Sequence, residues 1–376
     1  MDASVNRISP AADQRALLVA VQQSADDPEE VRDSLDELTL LVATAGAIVV
    51  DTMVVKRASF DPAYLIGVGV LDRIKSINAD CSIRLVVVDL NTIKPAQVRN
   101  LEEYLGCRVV GRTEIILDIF ARRARSAESK IQVELAQLRY ILPRLKGLGG
   151  VLSRLGGGIG TRGPGEKMLE TDRRHIIRRI SALKKKLDKI SRHRQLVRKS
   201  RDRAFRGAVV GYTNAGKSTL INRLAKDDLF VEDRLFATLD SFTRTVYIND
   251  DTTILLTDTV GFIRNLPANL IESFQSTLEE IRHADFLVHV VDCTARSITG
   301  NRETVERELA RLEAFDKPVL LFFNKADAAT PEAIERIMIA HPSALVGSAA
   351  TGSGIDALRC ALLDLSERRR KFNRAG

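Results

Sequence analysis

A chain of 376 residues, 45% of them hydrophobic, is too long for one ordinary core and too apolar to be disordered throughout, so two or three folded domains are expected. Aromatic residues amount to only 5% and Trp is absent, which argues against an aromatic platform for stacking bases. The 57 Lys plus Arg against 49 Asp plus Glu leave a charge of +8, which fits either a polyanionic partner or a mildly basic surface, depending on how the charge is distributed.

The first residues lack the basic start and apolar core of a signal peptide, and no apolar run is long enough to span a bilayer. Cys81, Cys107, Cys293 and Cys360 lie too far apart for a metal site. These features predict a cytoplasmic protein with free thiols and no stable membrane insertion. Residues 16–21, 47–55 and 83–90 read as strands, with 107–110 as a further short one. Residues 28–45, 71–77 and 95–105 read as helices. The alternation predicts a small α/β domain over residues 1–124 with a largely parallel sheet and no glycine-rich phosphate fingerprint.

The period then changes. Ile131, Leu135, Leu138, Leu142 and Leu145 place an apolar stripe on one long helix, and Ile176, Ile180, Leu183, Leu187 and Ile190 place one on another. Residues 147–165 between them are so rich in glycine that a loop is expected, giving an antiparallel helical hairpin with a glycine-rich tip over residues 125–205. From Arg162 to Arg206 there are 17 Lys or Arg and 5 Asp or Glu, a net +12 that exceeds the charge of the whole chain. Lys184, Lys185, Lys186, Lys189, Arg192 and Arg194 have only Asp188 nearby, so the helix repels itself unless a polyanion such as nucleic acid lies against it.

Residues 206–366 read as a second, larger α/β domain, a mostly parallel sheet with helices on both faces. Its strands are expected at 208–210, 245–248, 253–256, 286–291 and 319–323, and residues 367–376 as a short basic, disordered tail. Gly211, Tyr212, Thr213, Asn214, Ala215, Gly216, Lys217 and Ser218 follow the first of these strands and open a helix that continues through Thr219. In that setting backbone N–H groups can turn toward phosphate oxygens, Lys217 can reach the β- and γ-phosphates, and the Ser218 hydroxyl can ligate Mg²⁺. Asp258, Thr259, Val260 and Gly261 end the strand at 253–256. Asp258 can join the Mg²⁺ shell, and Gly261 can bring its N–H to the γ-phosphate. Asn324, Lys325 and Asp327 end the strand at 319–323; a carboxylate at Asp327 can accept from guanine N1–H and the N2 amine, donors that adenine does not present there. Ser348, Ala349 and Ala350 can set a backbone N–H against guanine O6. Residues 236–240 form a candidate switch in which Thr238 can complete the Mg²⁺ shell, with Thr243 and Thr245 as rivals. Lys217, Thr238 and Gly261 are thus the catalytic candidates. Phe262 stands where a Gln could orient the attacking water, so slow turnover, raised by a partner, is expected.

Several of these motifs occur together: Gly160-Thr161-Arg162-Gly163-Pro164-Gly165-Glu166, the stretch from Leu169 to Arg174, the phosphate loop written GYTNAGKS, FATLD at 236–240, and the stretch from Asp258 to Arg264. Through them the chain resembles HflX-type GTPases of the translation-factor-related group, over nearly its whole length. The resemblance implies a monomer that binds GTP and GDP and docks on the large ribosomal subunit and its ribosomal RNA. It implies that such a protein splits or rescues stalled or idle ribosomes under stress, with GTP hydrolysis timing release. It also implies that the glycine loop reaches toward the peptidyl-transferase region, with Gly160, Arg162, Gly163 and Gly165 near RNA phosphates and Arg173, Arg174, Lys184 and Lys185 beside them. Asn214 matches a position that can hold K⁺ in related GTPases, so K⁺ joins Mg²⁺ as a candidate cofactor. The chain departs from the family at Lys167-Met168, at Ser241-Phe242-Thr243 and at Gly67-Val68-Gly69-Val70, and the last departure argues against a phosphate site in the N-terminal domain. Three rival readings are a binding module in which GTP binding alone drives the ribosome apart and hydrolysis is incidental, an ATPase built on that N-terminal domain, and a peripheral membrane regulator using the basic helix. A non-hydrolysable analogue separates the first from the main reading; the second lacks a second phosphate loop and the third a large apolar face.

Overall fold

Four short apolar runs near the start of the chain pair edge to edge, three of them buried on both faces or nearly so, as strands between helices must be, and one, at a sheet edge, largely exposed. They are β1 (Arg15–Gln22), β2 (Ile48–Lys56), β3 (Leu85–Val88) and β4 (Arg108–Gly111), in a parallel sheet of order β2-β1-β3-β4. This computed structural model describes residues 14–152, 164–199, 204–226, 234–267, 270, 273, 275–314 and 316–375. The chain divides into one unit of Met1–Ile190 with Asn265–Ser273 and another of Ser191–Arg264 with Phe274–Gly376.

In the first unit α1 (Pro28–Thr44) starts with proline at its first position and with the Asp27 side chain accepting from Glu29 N–H, and it buries Leu35, Leu38, Leu41 and Val42. Helices α2 (Val68–Cys81) and α3 (Pro95–Leu105) flank the same sheet, and α3 stops at Gly106 with φ 67°. Helix α4 (Arg112–Arg123) follows β4 without a loop and buries Ile115, Ile116, Leu117, Ile119 and Phe120. The sequence reading had no helix here.

Helices α5 (Ala127–Leu152) and α6 (Pro164–Lys199) carry the two leucine and isoleucine stripes. Leu135, Leu138 and Leu183 are buried in one cluster with Ile131, Ile176, Ile180 and Leu187 against it, so the stripes meet. The expected glycine loop is shorter than 147–165, because α5 runs on through Gly147, Gly149 and Gly150 and α6 starts at Pro164. Each glycine costs about 1 kcal/mol against alanine, which an established helix can carry by propagation, and proline suits a first helical turn. Residues 153–163 lie outside the described residues. The boundary between the units falls within α6, whereas the sequence reading divided the chain at 125, 206 and 367.

The second unit holds β5 (Phe205–Gly211), β6 (Thr243–Asn249), β7 (Thr252–Asp258), β8 (Phe286–Asp292), β9 (Val319–Asn324) and β10 (Leu345–Val346), in the order β10-β9-β8-β5-β7-β6. All pairings are parallel except that of the edge strand β6 with β7. Helices α7 (Lys217–Ala225), α8 (Gln275–His283), α9 (Ile298–Arg311), α10 (Pro331–Ala340) and α11 (Ile355–Ala375) alternate with the strands. The core joins Val209, Leu220, Leu224, Leu256, Val288, Phe322 and Leu358. The tail expected to be disordered is the end of α11. Arg369 reaches Asp285 Oδ2 at 2.8 Å and the Ala204 carbonyl at 3.3 Å, and Arg370 reaches the Asp251 carbonyl at 3.0 Å.

Candidate GTP site

The central strand β5 ends at Gly211, and its chain curls through Asn214 (φ 61°) and Gly216 (φ 88°) into α7. Both positions are left-handed, a conformation open to glycine and tolerated by asparagine. A Cβ at Gly211 would lie 2.3 Å from the Val290 carbonyl oxygen, so β8 and the loop touch backbone to backbone. The loop is also zipped to the end of β7. Thr213 N–H donates to the Phe262 carbonyl at 2.7 Å, Phe262 N–H donates to the Gly211 carbonyl at 3.1 Å, and Arg264 N–H donates to the Tyr212 hydroxyl at 2.9 Å.

Inside this cradle Lys217 is 6% exposed, and its Nζ donates to the carbonyls of Tyr212 at 2.9 Å and Gly211 at 3.3 Å. Burial pushes its ammonium down to about 8, against the pull of Asp258. The same burial raises the Asp258 carboxyl, while Ser218, Lys217 and Thr238 hold it down. Ser218 Oγ donates to Asp258 Oδ2 at 2.5 Å, Thr238 Oγ1 donates to the same oxygen at 3.1 Å, and the two hydroxyls are 2.7 Å apart. Among the described residues Asp258 Oδ1 is buried without a hydrogen-bond partner. A carboxylate with a spare buried oxygen beside two hydroxyls is the donor set of a hard divalent cation such as Mg²⁺. Of the three threonines considered, Thr238 is the one in this cluster. Thr243 Oγ1 instead pairs with Thr257 Oγ1 at 2.9 Å.

A cavity of about 280 Å³ opens beside these groups. Thr213, Asn214, Gly216, Thr219 and Gly261 line it near Lys217, while Lys325, Asp327 and Ser348 to Ala350 line it near Asn324. Asn324, 2% exposed, joins the two ends: its Nδ2 donates to the Ala215 carbonyl at 2.8 Å, and its Oδ1 accepts from Ala349 N–H at 2.9 Å. Lys325 Nζ pairs with Asp292 Oδ2 at 2.7 Å.

Not every residue expected at the site faces this cavity. Gly211, Tyr212, Ala215, Asp258 and Val260 are absent from its lining and act from behind it. Thr259 does line the cavity, but its hydroxyl donates to the Val209 carbonyl at 2.7 Å, which commits that group to the sheet. Phe262 is 3% exposed, packed away rather than aimed at the cavity. Phe236, the first residue of the candidate switch, takes part, and so do Arg234 and Arg223, which were not expected from the sequence. Arg234 and Phe236 line the cavity, and Phe236 N–H donates to Thr213 Oγ1 at 3.0 Å. Arg223 Nε donates to the Ala349 carbonyl at 3.0 Å. The position of Phe236 in FATLD was a signal for its role, whereas nothing local marks Arg223.

Of the expected RNA contacts, Lys184 and Lys185 are exposed on α6. Arg173 and Arg174 pair with Glu170 at 3.7 and 3.1 Å. Gly165 lies in the first turn of α6. Gly160, Arg162 and Gly163 lie outside the described residues.

Three family models match in sequence. Residues 32–121 match "GTP-binding GTPase N-terminal", 123–201 match "GTP-binding GTPase Middle Region", and 206–325 match "50S ribosome-binding GTPase". A protein named GTPase HflX from Lacrimispora saccharolytica is 49% identical over 92% of this chain and 81% of its own length. The protein of that name from Escherichia coli is 41% identical over 94% of this chain and 83% of its own. Among solved structures, that of SsGBP in complex with GDP is 25% identical, with a TM-score of 0.51 over 94% of this chain and 99% of that one.

Proposed function

Because the chain belongs to the HflX family of GTPases, we propose that this GTP hydrolase binds the large ribosomal subunit and splits or rescues stalled or idle ribosomes under stress. Hydrolysis then times its release. The observation that carries the reading is the meeting of Ser218, Thr238 and Asp258 beside buried Lys217. Thr238 belongs to a segment between strands, so a site that needs it is complete only when that segment is in place, as a nucleotide switch requires.

In this reading Lys217 and the N–H groups of Asn214 and residues 216–219 take the phosphates, and Gly261 N–H faces the γ-phosphate. Ser218, Thr238 and Asp258 would hold Mg²⁺, which would supply positive charge against the developing negative charge of the phosphates, and Asn214 is the candidate for K⁺. Asp327 reads the guanine edge, and Ser348 to Ala350 meet O6. Phe262 cannot orient water, so the monomer turns over slowly and the ribosome supplies what the site lacks. The exposed Lys184 and Lys185 of α6, with the glycine-rich segment before it, meet ribosomal RNA in the cytoplasm. Among the described residues no helix is long and apolar enough to cross a membrane.

Sedimentation with 70S ribosomes and 50S subunits tests the proposal. With a non-hydrolysable GTP analogue the protein should travel with 50S and convert 70S to subunits, and with GDP it should do neither. Equal sedimentation in both states, or an unstimulated GTPase rate with ribosomes present, would contradict it.

A further inference from the structure

The loop that carries Ser348 to Ala350 is tied down almost completely. Gly347 N–H donates to the Phe323 carbonyl at 2.9 Å, Ser348 N–H to the Ser353 carbonyl at 2.8 Å, and Gly352 N–H to the Ser348 carbonyl at 2.8 Å. Ala349 N–H goes to Asn324 Oδ1, and Thr351 N–H to Ser348 Oγ at 3.2 Å. Among the described residues nothing accepts from Ala350 N–H, and Ala350 lines the cavity. The direction of that N–H depends on its peptide plane, whose other end is the Ala349 carbonyl. Arg223 holds that carbonyl through Nε at 3.0 Å, and it holds the next one, of Ala350, through Nη2. A planar guanidinium that grips two successive carbonyls fixes the plane between them in a way that a single point charge cannot.

We infer that Arg223 is a specificity-positioning residue: it orients the Ala349–Ala350 peptide so that the Ala350 N–H meets guanine O6. The inference rests on the proposed base-reading role of this loop. Arg223 does not line the cavity; it acts through the backbone it holds. It also stands in the last turn of α7, where a cation suits the helix dipole regardless of any role in recognition. A test must therefore separate base reading from helix stability.

Binding of three triphosphates to the full-length protein makes that separation. GTP has O6, the N1 proton and the N2 amine, inosine triphosphate keeps O6 and N1–H but lacks the amine, and 2-aminopurine riboside triphosphate keeps the amine but lacks O6 and N1–H, the latter a loss at Asp327 that is the same in wild type and in the Arg223 variants. In Arg223→Ala the preference for GTP over the 2-aminopurine nucleotide should shrink by about fivefold to tenfold, the worth of one hydrogen bond. The GTP to inosine triphosphate ratio, set at Asp327, should stay as in wild type. Arg223→Lys, able to hold one carbonyl but not two, should fall between. An unchanged GTP to 2-aminopurine ratio in Arg223→Ala would overturn the inference, as would an equal loss of affinity for all three nucleotides, the mark of a damaged α7. If the wild type itself did not distinguish GTP from the 2-aminopurine nucleotide, the base-reading role of the loop would be wrong, and the inference would fall with it.

Discussion

A Cβ at Gly216 would sit 2.2 Å from Asn324 Nδ2, so the phosphate loop and the guanine motif meet at a spot too tight for any side chain. Individual groups elsewhere in this unit are held just as closely. His289, in the middle of β8, is 3% exposed, and among the described residues its Nε2 has no hydrogen-bond partner. Burial pushes its imidazole down to about 4, and the charges of Arg302 and Lys217 add to the effect. The unfolded chain takes up that proton near pH 6.5 and the folded one only near 4. Stability is therefore unaffected above 6.5, falls as the pH drops through this window, and levels off below 4. Between pH 6.5 and 5 the loss from this one group is about 2 kcal/mol. Denaturant titrations at pH 7 and pH 5 should show it, and His289→Leu should remove most of the difference between the two. A variant that loses as much stability on acidification as wild type would show that His289 is not the group responsible.

At the scale of elements, what was legible in the sequence followed from periodicity. β1 and α3 fall where the alternation of runs places them, because β-branched residues and a proline start mark them locally. Helix α4 was missed because nearly all its middle is buried, including Arg112 and Asp118, so no polar face gives it a period. The phosphate loop was legible because its glycines and lysine are contiguous. The Arg223 grip was not, since its partner Ala349 lies 126 residues away and a lone arginine in a helix signals nothing. Helix α6 shows the same limit for surface charge. Its composition gave the basic excess, but only the fold shows that Arg179 is held by Glu134 at 2.6 Å while Lys184, Lys185 and Lys186 are exposed. Replacing those three lysines by glutamate should weaken 50S binding by about tenfold or more at ordinary salt and flatten its salt dependence, as loss of phosphate contacts requires. GTP turnover without ribosomes should not change. Binding curves at several salt concentrations check this, and an unaltered slope would remove α6 from the RNA interface.

At the scale of the molecule, the two units have separate cores. One is built around Leu17, Val19, Val86 and Ile74, the other around Val209, Leu220, Leu256 and Val288. Among the described residues, those that line the cavity of about 280 Å³ all belong to the second unit. A ligand stabilises what it binds, by about 2.7 kcal/mol at a hundred times its Kd. Calorimetry should therefore resolve two transitions, of which saturating GDP with Mg²⁺ raises one by several degrees and leaves the other in place. A single transition that shifts as a whole would show that the units unfold together. The family relationship spans both units, so the N-terminal sheet belongs to the shared architecture even though no phosphate loop is written in it.

Asn324 has one further consequence, for how such a protein can change over time. Its amide serves two masters, with Nδ2 on the loop that would cradle phosphate and Oδ1 on the loop that would read the base. No single substitution there can relax the choice of base and leave phosphate binding as it was. A lineage drifting toward another base by way of this residue would pass through ancestors poor at holding any nucleotide. The route left open to such drift runs instead through a position that serves the base alone, such as Asp327, and the side chain shared between two tasks is the one that stays put.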